Sequence, residues 1–190
     1  MSTIPAAAPA QGSDCITDCT ALATWTGFAF EVRPATPDDE GRLADFLARL
    51  TPDDRRFRFL SGMPKVGHDL LERLTRVDHD RTVDFLAFDG DVLIASAMLA
   101  ADPAMERAEV AIAILPEYKH RGVGWTLLAH LARFAESKGI GLIESVECRD
   151  NFEAIGVEKD MGFSATSYPG DPTLVLLTRK LGDPNIELTS

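Results

Sequence analysis

The stretch that most constrains this chain of 190 residues runs from Ala108 to Cys148. Ala108 to Leu115 is an almost continuous apolar run, the pattern of a strand covered on both faces in the middle of a sheet. Pro116 ends it, and a short loop, Lys119-His120-Arg121-Gly122-Val123-Gly124, follows. Val123, Leu127, Leu128, Leu131, Phe134 and Ala135 then recur at helical spacing until Lys138-Gly139. Ile140 to Cys148 reads as another strand. A strand–helix–strand crossover favours a parallel pair with the helix on one face, which makes the fold α/β.

The remaining segments build outward from this unit. Phe28 to Arg33 alternates like a first strand. Thr36-Pro37-Asp38-Asp39-Glu40 is a helix start, with a hydroxyl cap, proline in the first turn and acids at the positive end. Leu43, Phe46, Leu47 and Leu50 continue that helix, and Thr51-Pro52-Asp53-Asp54 begins a second. Leu70, Leu71, Leu74 and Val77 mark a third, short helix after Gly67. Thr82 to Phe88 and Val92 to Leu99 flank Asp89-Gly90-Asp91, a hairpin signal. Phe152 to Met161 reads as a helix, and Phe163 to Tyr168 with Thr173 to Lys180 as a closing hairpin. The expected architecture is a single three-layer α/β/α domain, a mixed, mostly antiparallel twisted sheet flanked by helices. No internal repeat interrupts it.

Residues 1–27 differ in composition, dominated by Ala, Pro, Ser, Thr and Gly, with Asp14 and Asp18 as the only charges. They read as a flexible extension with a short helix around Ile16 to Leu22, ahead of a domain over 28–182 and a short tail at 183–190. Cys15 and Cys19 fall one turn apart in such a helix, either as unconnected thiols or as a metal or redox pair. Three cysteines are too few for a disulfide scaffold, and no zinc-ligand spacing is present, so no metal is expected. The net charge of -11 argues against nucleic acid or an anionic membrane as partner, and is compatible with cationic ones. No targeting or membrane-spanning pattern is visible, and a reducing cytoplasm is the simplest home.

The loop carries the chemistry. Free N–H groups at a helix N-terminus form an anion site; Gly122 and Gly124 remove side chains where a phosphate would approach, and Lys119 and Arg121 add cationic reach. The spacing matches neither the Rossmann fingerprint nor the Walker loop. It resembles the acetyl-CoA pyrophosphate loop of the GNAT (GCN5-related) N-acetyltransferases, [RQ]-x-x-G-x-[GA], with Lys119 at the first position. Asn151-Phe152-Glu153-Ala154, ending in Met161-Gly162-Phe163, resembles the second signature of that family. Val32-Arg33-Pro34, Leu50-Thr51-Pro52, Arg55 to Phe59 and Val77 to Arg81 are most similar to the bacterial Pat-type protein lysine acetyltransferases.

That resemblance implies acetyl-CoA as donor and an amine, most simply a protein lysine, as acceptor, with direct transfer and no covalent enzyme intermediate. Backbone groups of Ile112 and Ile114 would pair with the pantetheine arm, His120 to Trp125 would hold the pyrophosphate, and Asn151 would contact the donor near its pantetheine end. Many GNATs place a tyrosine that protonates the leaving thiolate where this chain has Glu158. A lysine amine must lose its proton before attack, and Glu109 is the candidate base: strand alternation sets it on one face with Ala111 and Ala113, whose small side chains leave room beside it. Its alternative is an ion pair with Arg107. His79, His68, His130, Cys148 and the Arg55 to Phe59 stretch are weaker candidates, each with an ordinary surface or packing role open to it. Two other functions fit the same residues: acetylation of a small amine (polyamine, amino acid or antibiotic), or acyl-CoA sensing without catalysis. A monomer or homodimer is expected.

Overall fold

The computed structural model of the protein describes residues 19–60 and 67–182. Its strands are β1 (Thr20–Ala23), β2 (Ala29–Pro34), β3 (Thr82–Asp89), β4 (Val92–Ala101), β5 (Arg107–Ile114), β6 (Leu142–Cys148), β7 (Ser164–Ser167) and β8 (Leu174–Lys180). The helices are α1 (Glu40–Arg49), α2 (Pro52–Phe59), α3 (His68–Thr75), α4 (Val123–Ser137) and α5 (Phe152–Asp160). All eight strands join one sheet in the order β1-β2-β3-β4-β5-β6-β8-β7. Only β5 and β6 run parallel, as the α4 crossover between them requires.

The helices lie on both faces. Leu43, Phe46 and Leu47 of α1 and Leu70, Leu71 and Leu74 of α3 pack against Leu86, Phe88 and Leu93 on one side. On the other, Leu127, Leu128 and Leu131 of α4 meet Val83, Phe85, Val110 and Ile143. Each fully buried side chain of this kind contributes about 1.5–3 kcal/mol of hydrophobic stabilisation. The helix starts form as the cap residues dictate. Thr51 Oγ1 accepts from Asp54 N–H at 3.1 Å, and Pro52 occupies the first turn. Asp39 is fully buried beneath α1, where Arg33 Nη2 donates to its Oδ1 at 2.6 Å.

Two expectations are corrected. The segment read as a helix around Ile16 to Leu22 is, from Thr20, the edge strand β1, paired from Thr20↔Val32 to Ala23↔Ala29. A single turn of helix is unstable alone, whereas β2 offers an open row of backbone donors and acceptors. The folded unit therefore begins before Phe28. Cys15 and the tail at 183–190 lie outside the described residues, while Cys19 is exposed, its thiol 3.5 Å from Glu31 Oε2. Val77 is not in α3, which ends at Thr75; Asp78 Oδ1 accepts the N–H groups of Asp80, Arg81 and Thr82 and turns the chain instead.

Candidate active site

β5 and β6 pair only over Arg107↔Leu142, Ala108↔Ile143 and Glu109↔Glu144. Beyond Glu109 they diverge, since β5 stays with β4 and β6 with β8. The gap becomes a cavity of about 920 Å³ lined by Val110 to Ile114 along the β5 edge that faces β6. β5 is thus not covered on both faces as its apolar run suggested. Ala111, Ile112 and Ile114 are half-buried because they border this opening, and Glu109, outside it, is exposed. A strand edge without a neighbour presents N–H and C=O groups that an extended ligand can pair with.

The open end of the cavity is the loop before α4. His120 and Gly122 have positive φ (59° and 84°), and Gly122, Gly124 and Trp125 at the start of α4, where the first-turn N–H groups lack intrahelical partners, line the cavity. No acidic residue stands in that first turn. A Cβ on Gly122 would lie 2.9 Å from Trp25 Nε1 and 3.0 Å from Thr24 Cβ, so a side chain there would push on the β1–β2 turn as well as strain the backbone. The β1–β2 turn is fastened there: Thr26 Oγ1 donates to the Arg121 carbonyl at 2.8 Å. Thr24 and Trp25 consequently line the cavity, a contribution that nothing in the local pattern of residues 20–27 announces.

The candidate residues divide. Ile112, Ile114, Lys119, His120, Gly122, Gly124, Trp125 and Asn151 all line the cavity. Arg121 does not: its guanidinium lies over the rings of Tyr118 (4.9 Å) and Phe28 (5.4 Å). Val123 is buried in the core. Lys119 Nζ is 2.5 Å from Asp54 Oδ1, and His120 Nε2 is 3.5 Å from Glu153 Oε1. Glu109 opens into a smaller side chamber of about 40 Å³, walled by Phe57, Arg58 and Leu60 at the end of α2. Among the weaker candidates, Cys148 is buried, and His68 Nδ1 lies 3.0 Å from Glu40 Oε2 on the surface. His130 packs edge-on against Phe85 at 4.7 Å, and burial lowers its pKa.

Two carboxyls, Glu158 buried and Glu147 half-buried, face the cavity from the β6–α5 side. Ser145 Oγ donates to Glu158 Oε1 at 2.5 Å, while Glu158 Oε2 is buried without a partner. Asn151 Nδ2 donates to Glu147 Oε2 at 2.7 Å. Burial pushes Glu147 up to about 8, with the charge of Glu158 adding to the effect and Asn151 and Arg58 opposing it. Burial likewise raises Glu158 to about 7 against the Ser145 hydrogen bond. Across the sheet, Asp84 is fully buried, accepts from Ser96 Oγ at 2.9 Å, and is raised to about 6 by burial, with Arg58 opposing. Sequence reasoning missed Glu147 and Asp84. The available signal was a polar residue at an inward position of a strand: Ile143, Ser145 and Glu147 share one face of β6.

A family model described as the acetyltransferase (GNAT) family matches residues 45–163. The chain belongs to that family. It is therefore an acyltransferase, and its mixed sheet with helices on both faces is the GNAT fold. Acetyltransferase PA5475 of Pseudomonas aeruginosa is 28% identical over 149 residues, spanning 76% of this chain and 80% of that protein. The GNAT domain of PAT from S. lividans superposes with a TM-score of 0.79 at 27% identity, covering 86% of this chain and 97% of that one. A cAMP-binding acyltransferase from Mycobacterium smegmatis shares the fold, with a TM-score of 0.63 at 20% identity over 92% of this chain and 51% of that one. Among the described residues, no helix is long and apolar enough to cross a membrane.

Proposed function

We propose that this GNAT protein moves an acetyl group from acetyl-CoA to the side-chain amine of a protein lysine. The observation that carries the reading is the unpaired β5 edge, which leads from the glycine loop at the α4 N-terminus down into the cavity. The donor's pyrophosphate accepts from the first-turn N–H groups at Gly122 to Trp125, with Lys119 and His120 beside it, and its pantetheine arm pairs with Ile112 and Ile114. Asn151 meets the arm from the opposite wall. The absence of a side chain at Gly122 lets Thr24 and Trp25 pack against the loop that holds the donor. Arg121, turned onto two aromatic rings, supports the loop and leaves the phosphates to its neighbours.

A lysine amine, with an ordinary pKa near 10.4, is almost wholly protonated at neutral pH and must shed a proton to attack. Glu109 accepts that proton from the side-chamber face of β5. The neutral nitrogen then adds to the thioester carbonyl, whose oxygen is polarised by a β5 N–H, and the thiolate departs. The acidic surface, at a net charge of -11, favours a cationic acceptor.

The test has two parts. Saturating acetyl-CoA, compared with ATP and NADH, is expected to raise the melting temperature alone; at 100 times its dissociation constant it adds about 2.7 kcal/mol. Mass spectrometry after incubation with candidate proteins and with spermidine then separates a lysine acceptor from a small amine. Acetylation of spermidine only would sink the lysine assignment. Glu109→Gln is expected to lower kcat about 100-fold or more while the acetyl-CoA melting shift persists; equal activity would remove Glu109 as base, and a wild type that binds acetyl-CoA but acetylates no amine would mark acyl-CoA sensing.

A further inference from the structure

Resting on the acetyltransferase reading, one feature of the site goes further: a buried carboxyl, Glu158, and a half-buried one, Glu147, stand in a cavity where the donor has no need of negative charge. Buried polar atoms in a folded protein are satisfied with few exceptions, and Glu158 Oε2 is such an exception. Glu158 is only 6% exposed, its Oε1 is fixed by Ser145, and its side chain lines the cavity. Its place along the cleft is specific. Ser145 follows Glu144, the last β6 residue paired with β5, so Glu158 is anchored at the closed end, opposite the phosphate-binding mouth. With the nucleotide half of the donor at the mouth, the sulfur is the part that reaches this end.

Glu147 supplies the connection. Among the described residues it is the one carboxylate that lines both the main cavity and the side chamber holding Glu109. We propose that Glu109, Glu147 and Glu158 form a proton relay between the two chambers, with Glu158 Oε2 as the catalytic acid toward the coenzyme A sulfur. The step balances without an outside proton. The ammonium first gives one proton to solvent through Glu109; the N–C bond then forms and the second amine proton passes to Glu109. The C–S bond breaks with its electron pair on sulfur, which takes the proton of Glu158. Glu147 then gives its proton to Glu158 and receives that of Glu109, so the amine's proton ends on the thiol. Burial favours the neutral, donating form of both inner carboxyls. The titratable groups that line the same cavity are Asp54 of α2, Lys119 and His120 of the loop, Arg133 of α4, and Glu153 and Asp160 of α5, while Arg58 of α2 acts on Glu147 directly.

The experiment follows thiol release from acetyl-CoA with poly-L-lysine as acceptor, across pH 5.5–9. Glu158→Gln keeps the shape and the Ser145 bond but carries no acidic proton. It is expected to lower kcat about 100-fold, leave the acetyl-CoA melting shift intact and abolish the alkaline limb of the kcat profile. Glu158→Asp, which restores an acid, is expected to recover part of the rate and the limb. Glu147→Gln is expected to make kcat depend on buffer, rising with imidazole concentration toward the wild-type value, a response that a purely structural role does not produce. Wild-type kcat in Glu158→Gln, or a loss of rate matched by loss of the melting shift, overturns the relay. So does a slow Glu147→Gln that ignores imidazole. Wild type that neither binds acetyl-CoA nor acetylates poly-L-lysine overturns the acetyltransferase reading and the relay with it.

Discussion

Replacing Glu147 by Gln removes a charge that the fold holds at a cost, and the cost depends on pH. Its carboxyl moves from an ordinary 4.5 to about 8, chiefly through burial. At 1.36 kcal/mol per pH unit, the full change corresponds to about 5 kcal/mol. Glu147 borders a cavity open to solvent, where an effective dielectric near 20 applies rather than that of a dry interior, so about 2 kcal/mol is the expected size. The sign follows from proton counting. Between pH 4.5 and 8 the folded state holds a proton that the unfolded chain has released, so stability falls as pH rises through that window. Glutamine can still accept from Asn151 and never ionises. Glu147→Gln is therefore expected to raise the melting temperature by about 4–8 °C at pH 8.5, as about 2 kcal/mol does for a chain of this length, and to change it little at pH 4.5. Circular dichroism melts at the two pH values decide it. An equal offset at both, or a lower melting temperature at pH 8.5, would refute the reasoning.

Two further outcomes follow from positions already described. Gly122→Ala combines a φ of 84°, which costs an L-residue about 1–2 kcal/mol, with a Cβ only 2.9 Å from Trp25 Nε1. It is expected to lower the melting temperature and weaken acetyl-CoA binding at least tenfold, and Trp25→Ala in the same chain is expected to restore part of the stability but not the conformational part. Asp39 is held at about 2: burial pushes it up, but the Arg33 ion pair and the Thr36 N–H and hydroxyl outweigh that. Its stabilisation is present above about pH 4 and lost as pH falls toward 2, so Asp39→Asn is expected to cost about 2–4 kcal/mol in urea titrations at pH 7, with the gap to wild type closing toward pH 2.

The fold was readable where one period dominates. The apolar strand, the glycine loop and the α4 stripe lie next to one another in sequence, so their geometry is local, and the parallel β5–β6 pair follows from the crossover. What stayed hidden depends on distant segments. The divergence of β5 from β6 is set by which other strand each one pairs with, β4 or β8. Without it, Glu147 and Glu158 are two acids at unremarkable spacing. Residues 20–25 carry too short an alternation to reveal β1, whose strand character comes from the edge of β2. The basic loop marks Arg121 as a candidate phosphate ligand, and what its sequence does not show is that Phe28 and Tyr118, one of them 93 positions earlier, provide rings beneath its guanidinium. In each case the deciding contact is tertiary.

Asp54 serves two masters. Its Oδ2 accepts from the Thr51 hydroxyl at 2.7 Å in the first turn of α2, while Oδ1 holds Lys119 of the loop. An anion that draws Lys119 toward itself changes the charge balance at the start of the helix whose far end walls the Glu109 chamber with Phe57 and Arg58. Linkage runs both ways: whatever shifts α2 from that far end alters the hold of the loop on its anion by the same factor. On the proposed reading the donor and acceptor entrances share a lever through Asp54, and Asp54→Asn is expected to weaken the effect of one substrate on the binding of the other, as titration of each with and without the other would show.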